Sequence, residues 1–258
     1  MNQTMALFRY LLSGIVNYRL LIAVSMLYIG GLCISYFIME LAMLNRQLIA
    51  AAFLADFLRY SLVLIVLLLT ITHVAEDFEY RQFESMLSMP VSRWQYILAR
   101  FLVIAITALV LVSPCLLVLP FYVSFAIAGY WTIALWLEAL MVGLIGFLAI
   151  LSLEKVPGAV FLTLAVYLLS KLSGLISQML AASTAVSDHN LANRLVETVL
   201  NGILYLLPGL QSFAWNDVYF KNMPIAAMLI AQFECVLIYL LFMLMACLID
   251  FYRKEFTR

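Results

Sequence analysis

The stretch EYRQFESMLSMPVSRWQYILARF, residues 79–101, sets a dense run of charge and a proline between two long apolar runs. The rest of the chain carries little charge. Of its 258 residues, 67% are hydrophobic and 11% charged, against roughly 45–50% apolar and about 25% charged in soluble domains. Such a composition belongs to an integral membrane protein, in which concentrated polar chemistry marks a connection outside the bilayer. A net charge of zero offers neither the basic surface that nucleic acid requires nor an acidic tail.

A helix needs about 20 apolar residues to cross a hydrocarbon core of about 30 Å. Six runs of that kind are present, at residues 20–39, 57–75, 94–119, 131–153, 157–180 and 225–249. The first is too long for a cleavable signal peptide and lacks a small-x-small cleavage site. Positive charge is retained on the cytoplasmic side. With the N-terminus inside, Arg9, Arg19, Arg81, Arg93, Arg100, Lys155, Arg253, Lys254 and Arg258 face the cytoplasm, against Arg46, Arg59, Arg194 and Lys221 outside. The expectation is therefore a multi-pass protein of a bacterial-type cytoplasmic membrane with both termini cytoplasmic. Tyr130, Trp131, Trp215, Tyr219 and Phe220 fall at outer span ends, and Trp94 and Tyr96 at an inner one, as in an aromatic belt. Residues 1–19 carry Arg9, Ser13 and Asn17 on one side of a helix and Met5, Phe8, Leu12 and Ile15 on another, the pattern of an amphipathic interfacial helix. An irregular tail is the plainer reading.

In this frame residues 79–101 join the second and third spans on the cytoplasmic side. Phe83, Met86 and Leu87 fall at i, i+3 and i+4 and give a short helix one apolar ridge, flanked by Glu79, Arg81 and Glu84. Pro90 cannot continue that helix. Ser92 and Gln95 stand in the Ser-x-x-Gln relation of a capping box that starts a new helix at Arg93. The same residues also fit a solvated loop whose charges set topology.

Glu79, Arg81, Glu84 and Leu87, then Pro90-Val91-Ser92-Arg93 and Arg100, resemble the coupling-helix region of type-2 ABC transporter permeases. Gln82-Phe83 stands where many members have Gly-Thr. The layout is similar too: interfacial helix at 1–19, six-helix transmembrane domain at 20–250, coupling helix at about 78–91, outer segment at about 181–223 and a cytoplasmic tail at 251–258. The resemblance implies an all-α membrane permease that is a half-transporter: two copies, or one copy and a paralogue, would form the path, and separate ATP-binding cassette subunits would dock on Glu79, Arg81, Phe83, Glu84, Met86, Leu87, Pro90, Ser92 and Arg93.

ATP and Mg would be bound by that partner, with no cofactor or metal in this chain. None of its ten glycines lies in a G-x-x-x-x-G-K-[ST] phosphate loop, so nucleotide chemistry would be the partner's.

In the outer segment Leu191, Leu195, Val199, Ile203 and Leu207 recur at four-residue steps opposite Asn190, Asn193, Arg194, Glu197 and Asn201, an amphipathic helix ended by Pro208-Gly209. By the resemblance, Glu197, Leu200, Ile203, Leu204 and Leu207 would form an outer gate made by a re-entrant helix. A helix lying on the outer leaflet is the alternative. Ser170, Ser173, Gly174 and Ser177 give the fifth span a face of small residues, suited to close packing or a dimer contact. Pro114 predicts a tolerated kink in the third span. Among the charges inside spans, Glu138, Lys171 and Glu234 lie about 10, 14 and 14 Å below the outer ends at about 1.5 Å per residue. Lys171 is expected to pair with Glu234, or with Glu138 as second choice.

Two other classes remain in view. Glu76-Asp77 followed by Arg81 resembles a degenerate acidic motif of CAAX-type intramembrane proteases, which also need histidines on other membrane helices; this chain has only His73 and His189. A secondary carrier would call for interrupted helices and an internal repeat, and neither is evident. The four cysteines, Cys33, Cys115, Cys235 and Cys247, sit in apolar runs without CxxC spacing and read as plain side chains within the membrane, without a metal or disulfide role.

Overall fold

The computed structural model describes residues 18–79, 93–184, 202, 208–213 and 225–253. They form helices α1 (Tyr18–Leu41), α2 (Arg46–Glu79), α3 (Arg93–Val112), α4 (Cys115–Val118), α5 (Phe125–Leu153), α6 (Val156–Thr184) and α7 (Ile225–Arg253). Short 3-10 turns lie at Leu119–Phe121 and Leu210–Phe213, and there is no strand among the described residues. Six helical spans are long and apolar enough to cross a membrane, α3 and α4 together making the third. Hydrogen bonds closed within each helix are what a bilayer demands of a spanning backbone.

The six spans do not share burial equally. In α5, 83% of the most apolar window is buried, against 22% in α1 and in α7, so α5 is the pillar around which the others stand. It packs on α2, α3, α6 and α7, while α1 packs on α2. Lipid tails are as apolar as leucine, so this packing rests on close fit and polar contacts rather than on escape from water. Gly143 shows the fit: a Cβ there would lie 2.7 Å from Ile104 Cγ2 and 3.3 Å from Val66 Cγ1, so α3 and α2 approach α5 where it has no side chain. Trp136 of α5 adds a polar contact, its indole N–H donating to the Ala105 carbonyl of α3 at 2.9 Å. Outward, α1 and α7 present Ile29, Phe37, Leu237 and Phe242, the surface expected against lipid.

The break between α3 and α4 follows from Pro114. Proline has no N–H for the carbonyl four residues back, which is that of Val110. Ser113 Oγ donates to that carbonyl at 3.0 Å. Tyr28 of α1 donates to the next one, Leu111, at 2.9 Å, and lies 3.0 Å from Cys115 Sγ. The expected kink is thus present, with its backbone groups satisfied by a side chain and a neighbouring helix. The turn between α5 and α6 is tighter. Glu154 takes a left-handed conformation at φ 55°, and its N–H closes on the Ile150 carbonyl at 3.0 Å, so α6 starts back beside α5 after two residues.

Several expected boundaries shift. The second span starts at Arg46, not residue 57, and the fourth at Phe125, not residue 131. Trp131 is fully buried, Tyr130 nearly so, and Tyr96 buried as well, so these three are interior residues and not belt residues. Trp94 is exposed, as a belt residue would be. Tyr18 and Arg19 are helical and belong to α1, whereas residues 1–17 lie outside the described part.

Candidate functional site

Halfway along α5, a carboxylate is enclosed by cations from two other helices. Glu138 is fully buried. Its Oε1 lies 2.7 Å from Lys171 Nζ of α6 and accepts a hydrogen bond from Tyr167 at 3.0 Å. Its Oε2 lies 3.2 Å from Arg59 Nε of α2, an ion pair without hydrogen-bond alignment. Aromatic faces back both cations: the Arg59 guanidinium carbon is 5.5 Å from the centre of the Trp131 ring, and Lys171 Nζ is 5.9 Å from that of Tyr167. Cations over ring faces are attracted by the ring quadrupole, and more so where water is excluded.

Both cations also reach backbone. Lys171 Nζ donates to the Leu210 carbonyl at 3.0 Å, and Arg59 Nη2 donates to the Phe213 carbonyl. Leu210 and Phe213 are the first and last residues of the second 3-10 turn, and both are buried. Asp56, exposed one turn before Arg59, lies within electrostatic range of Arg59, Lys171 and Glu138.

The expected pairing is corrected here. Lys171 pairs with Glu138, the second choice, and not with Glu234, which is exposed on α7. Glu138 stands sixteen residues before Glu154 and Lys171 sixteen after Lys155, so the tight turn sets the two side by side. On α7 it is Gln232 that faces α5, donating to Tyr130 Oη at 2.8 Å. Two residues further round, about 200° at 3.6 residues per turn, Glu234 points away. Arg59 is corrected as well: it is not an outer flank charge but a buried member of this cluster. The sequence carries one signal for this: Arg59 lies inside the apolar run at residues 57–75, where a charge calls for a partner. Ser170 and Ser173 are buried within the single chain, Ser173 Oγ donating to the Ser170 carbonyl at 2.7 Å, so they serve packing inside the protomer and not a contact between copies.

A second constellation ties α2 to α3 near the ends that flank residues 80–92. Arg100 forms an ion pair with Asp77, Tyr96 donates to the same carboxylate oxygen at 3.1 Å, and Arg100 Nε donates to Tyr96 Oη at 3.2 Å. All three side chains are buried. On the outer side of the same turn of α2, His73 Nδ1 lies 3.1 Å from Glu76 Oε2. The acidic pair Glu76-Asp77 is therefore divided: Asp77 holds α3, and Glu76 is exposed beside His73. Glu76 also borders an open cleft of about 650 Å³ shared with Thr72, Glu154, Lys155 and Pro157.

Of the expected coupling residues, Glu79 is the last residue of α2 and Arg93 the first of α3. Arg81, Phe83, Glu84, Met86, Leu87, Pro90 and Ser92 lie outside the described residues, as do the gate residues Glu197, Leu200, Ile203, Leu204 and Leu207. No protein-family model matches the chain, and no curated protein matches its sequence.

Proposed function

We propose that the chain is the membrane-spanning permease subunit of an ATP-driven ABC transporter of the type-2 exporter class. The observation that supports this most is the brace of Asp77, Tyr96 and Arg100, which ties α2 to α3 beside the two ends of residues 80–92. A cytoplasmic partner pushing on a loosely rooted loop would only bend the loop. With its two flanking helices locked by a buried ion pair, the same push moves α2 and α3 together. The contact of Ile104 and Val66 on Gly143 then carries the motion to α5, because packed interiors shift as bodies rather than deform.

In this reading residues 80–92 hold the coupling helix, with Phe83, Met86 and Leu87 as the ridge that enters the ATPase. ATP and Mg are bound by that partner, and a second copy of the chain, or a paralogue, completes the path. The protein sits in a bacterial-type cytoplasmic membrane with both termini cytoplasmic. The apolar spans suit cargo such as lipid-like molecules, drugs, haem-like cofactors or peptides.

Affinity purification of the full chain from its own host's membranes tests the proposal. The expected result is an ATP-binding cassette subunit at stoichiometric yield, lost with Leu87→Glu because a charge there would be desolvated in an apolar cleft. Equal ATPase yield with Leu87→Glu, or a wild-type chain that transports without nucleotide, would overturn it.

A further inference from the structure

We infer that Arg59 and Lys171 form a latch on residues 208–213, anchored on Glu138 and released at the carbonyls of Leu210 and Phe213. The cluster is uneven in a way that a simple helix clamp does not need. Two cations share one buried carboxylate, and each spends a further donor on a main-chain carbonyl. The two sides of the contact differ in strength. Toward Glu138 the cations make ion pairs between charged groups, whereas toward the turn each meets a neutral acceptor, and charge-assisted bonds with both partners charged are the stronger kind.

Position adds to this. Glu138 is the fourteenth of the 29 residues of α5, and Lys171 the sixteenth of the 29 of α6, so the cluster lies near the middle of both helices. Non-helical backbone at such a level is tolerated only where protein covers it or a watery cavity receives it. Pro208, Leu210 and Phe213 are buried, and the two carbonyls are satisfied by the cations. The stretch can withdraw toward the side that carries the 42–45 and 122–124 connections without breaking an ion pair, because Glu138 keeps both partners. Main-chain carbonyls make the catch independent of the side chains at 210 and 213. The latch does not rest on the ATPase reading; it would operate in any membrane protein with this cluster.

Cysteine accessibility at residue 209 tests it. A Cβ at Gly209 meets nothing within 4 Å, so Gly209→Cys should fold as the parent does. A membrane-impermeant maleimide is applied to the full chain in vesicles, and modification of the peptide containing residue 209 is followed by mass spectrometry. With the latch intact, labelling is slow. Lys171→Met removes one catch and should speed labelling about tenfold or more, and Lys171→Arg, which keeps the cation, should leave it slow. Tyr167→Phe removes a bond to Glu138 but none to the turn, and should not change the rate. Unchanged labelling in Lys171→Met overturns the latch, and so does an equal acceleration by Tyr167→Phe, which would indicate general loosening. Should Lys171→Met not accumulate as folded protein, Lys171→Leu, which also lacks a donor, carries the same two outcomes. None of these results depends on an ATPase, so they fail or succeed separately from the proposed function.

Discussion

The two buried charge constellations solve different problems with the same residue types. Asp77 and Arg100 form an even pair between helices that are neighbours in sequence, with Tyr96 completing the contact from one turn away. Glu138 serves an uneven set: Arg59 from α2, Lys171 from α6, and through them the carbonyls of Leu210 and Phe213. An even pair is closed and joins two helices. An uneven one has donors to spare, and they recruit backbone from a distant part of the chain. Charges in a membrane are expensive, and each of these buried ones has such a use.

The comparison can be broken first at Glu138. Glu138→Gln leaves both Arg59 and Lys171 without their carboxylate, and removing one partner of a buried pair costs about 3–5 kcal/mol. Thermal unfolding in detergent should show this as the largest loss among the charge variants. Lys171→Met should cost less than Glu138→Gln, since Arg59 and Glu138 remain as a neutral pair; a larger loss would mean that Arg59 does not hold the carboxylate.

Asp77→Asn comes next. It keeps an acceptor for Tyr96 and lies toward the end of α2, so the expected loss is about 1.5–3 kcal/mol, the range for hydrogen bonds to charged groups. A melt as damaged as that of Glu138→Gln would erase the distinction between the even and the uneven cluster. The smallest effect belongs to Glu234. Glu234→Gln should be nearly neutral, and combined with Lys171→Met it should add within about 0.3–0.5 kcal/mol, the tolerance for independent sites. A coupling energy well above that would put Glu234 back beside Lys171.

The spans were legible because run length alone reports the bilayer crossing, and the break at Pro114 because a missing N–H has a local consequence. Two span starts were misread for a common reason. Arg59 and Trp131 have the chemistry of interface residues, and only packing shows that they meet each other in the interior. The pairing of Lys171 failed differently. Counting residues fixes the level of a charge along its helix but not its direction around it, and Glu138 and Glu234 differ in direction. The symmetrical spacing of Glu138 and Lys171 about the turn at Glu154 and Lys155 was present in the sequence all along. It becomes informative only once the turn is known to be two residues long.

That short turn has a consequence for how the chain enters the bilayer. A lysine at the centre of a lone helix opposes insertion by about 2.5–3.5 kcal/mol. With α5 and α6 joined by two residues, Glu138 and Lys171 can be handed to the lipid as one hairpin, each cancelling the other during biogenesis. In a translocon assay α6 alone should insert less well than α6 preceded by α5, and Glu138→Gln should remove that advantage.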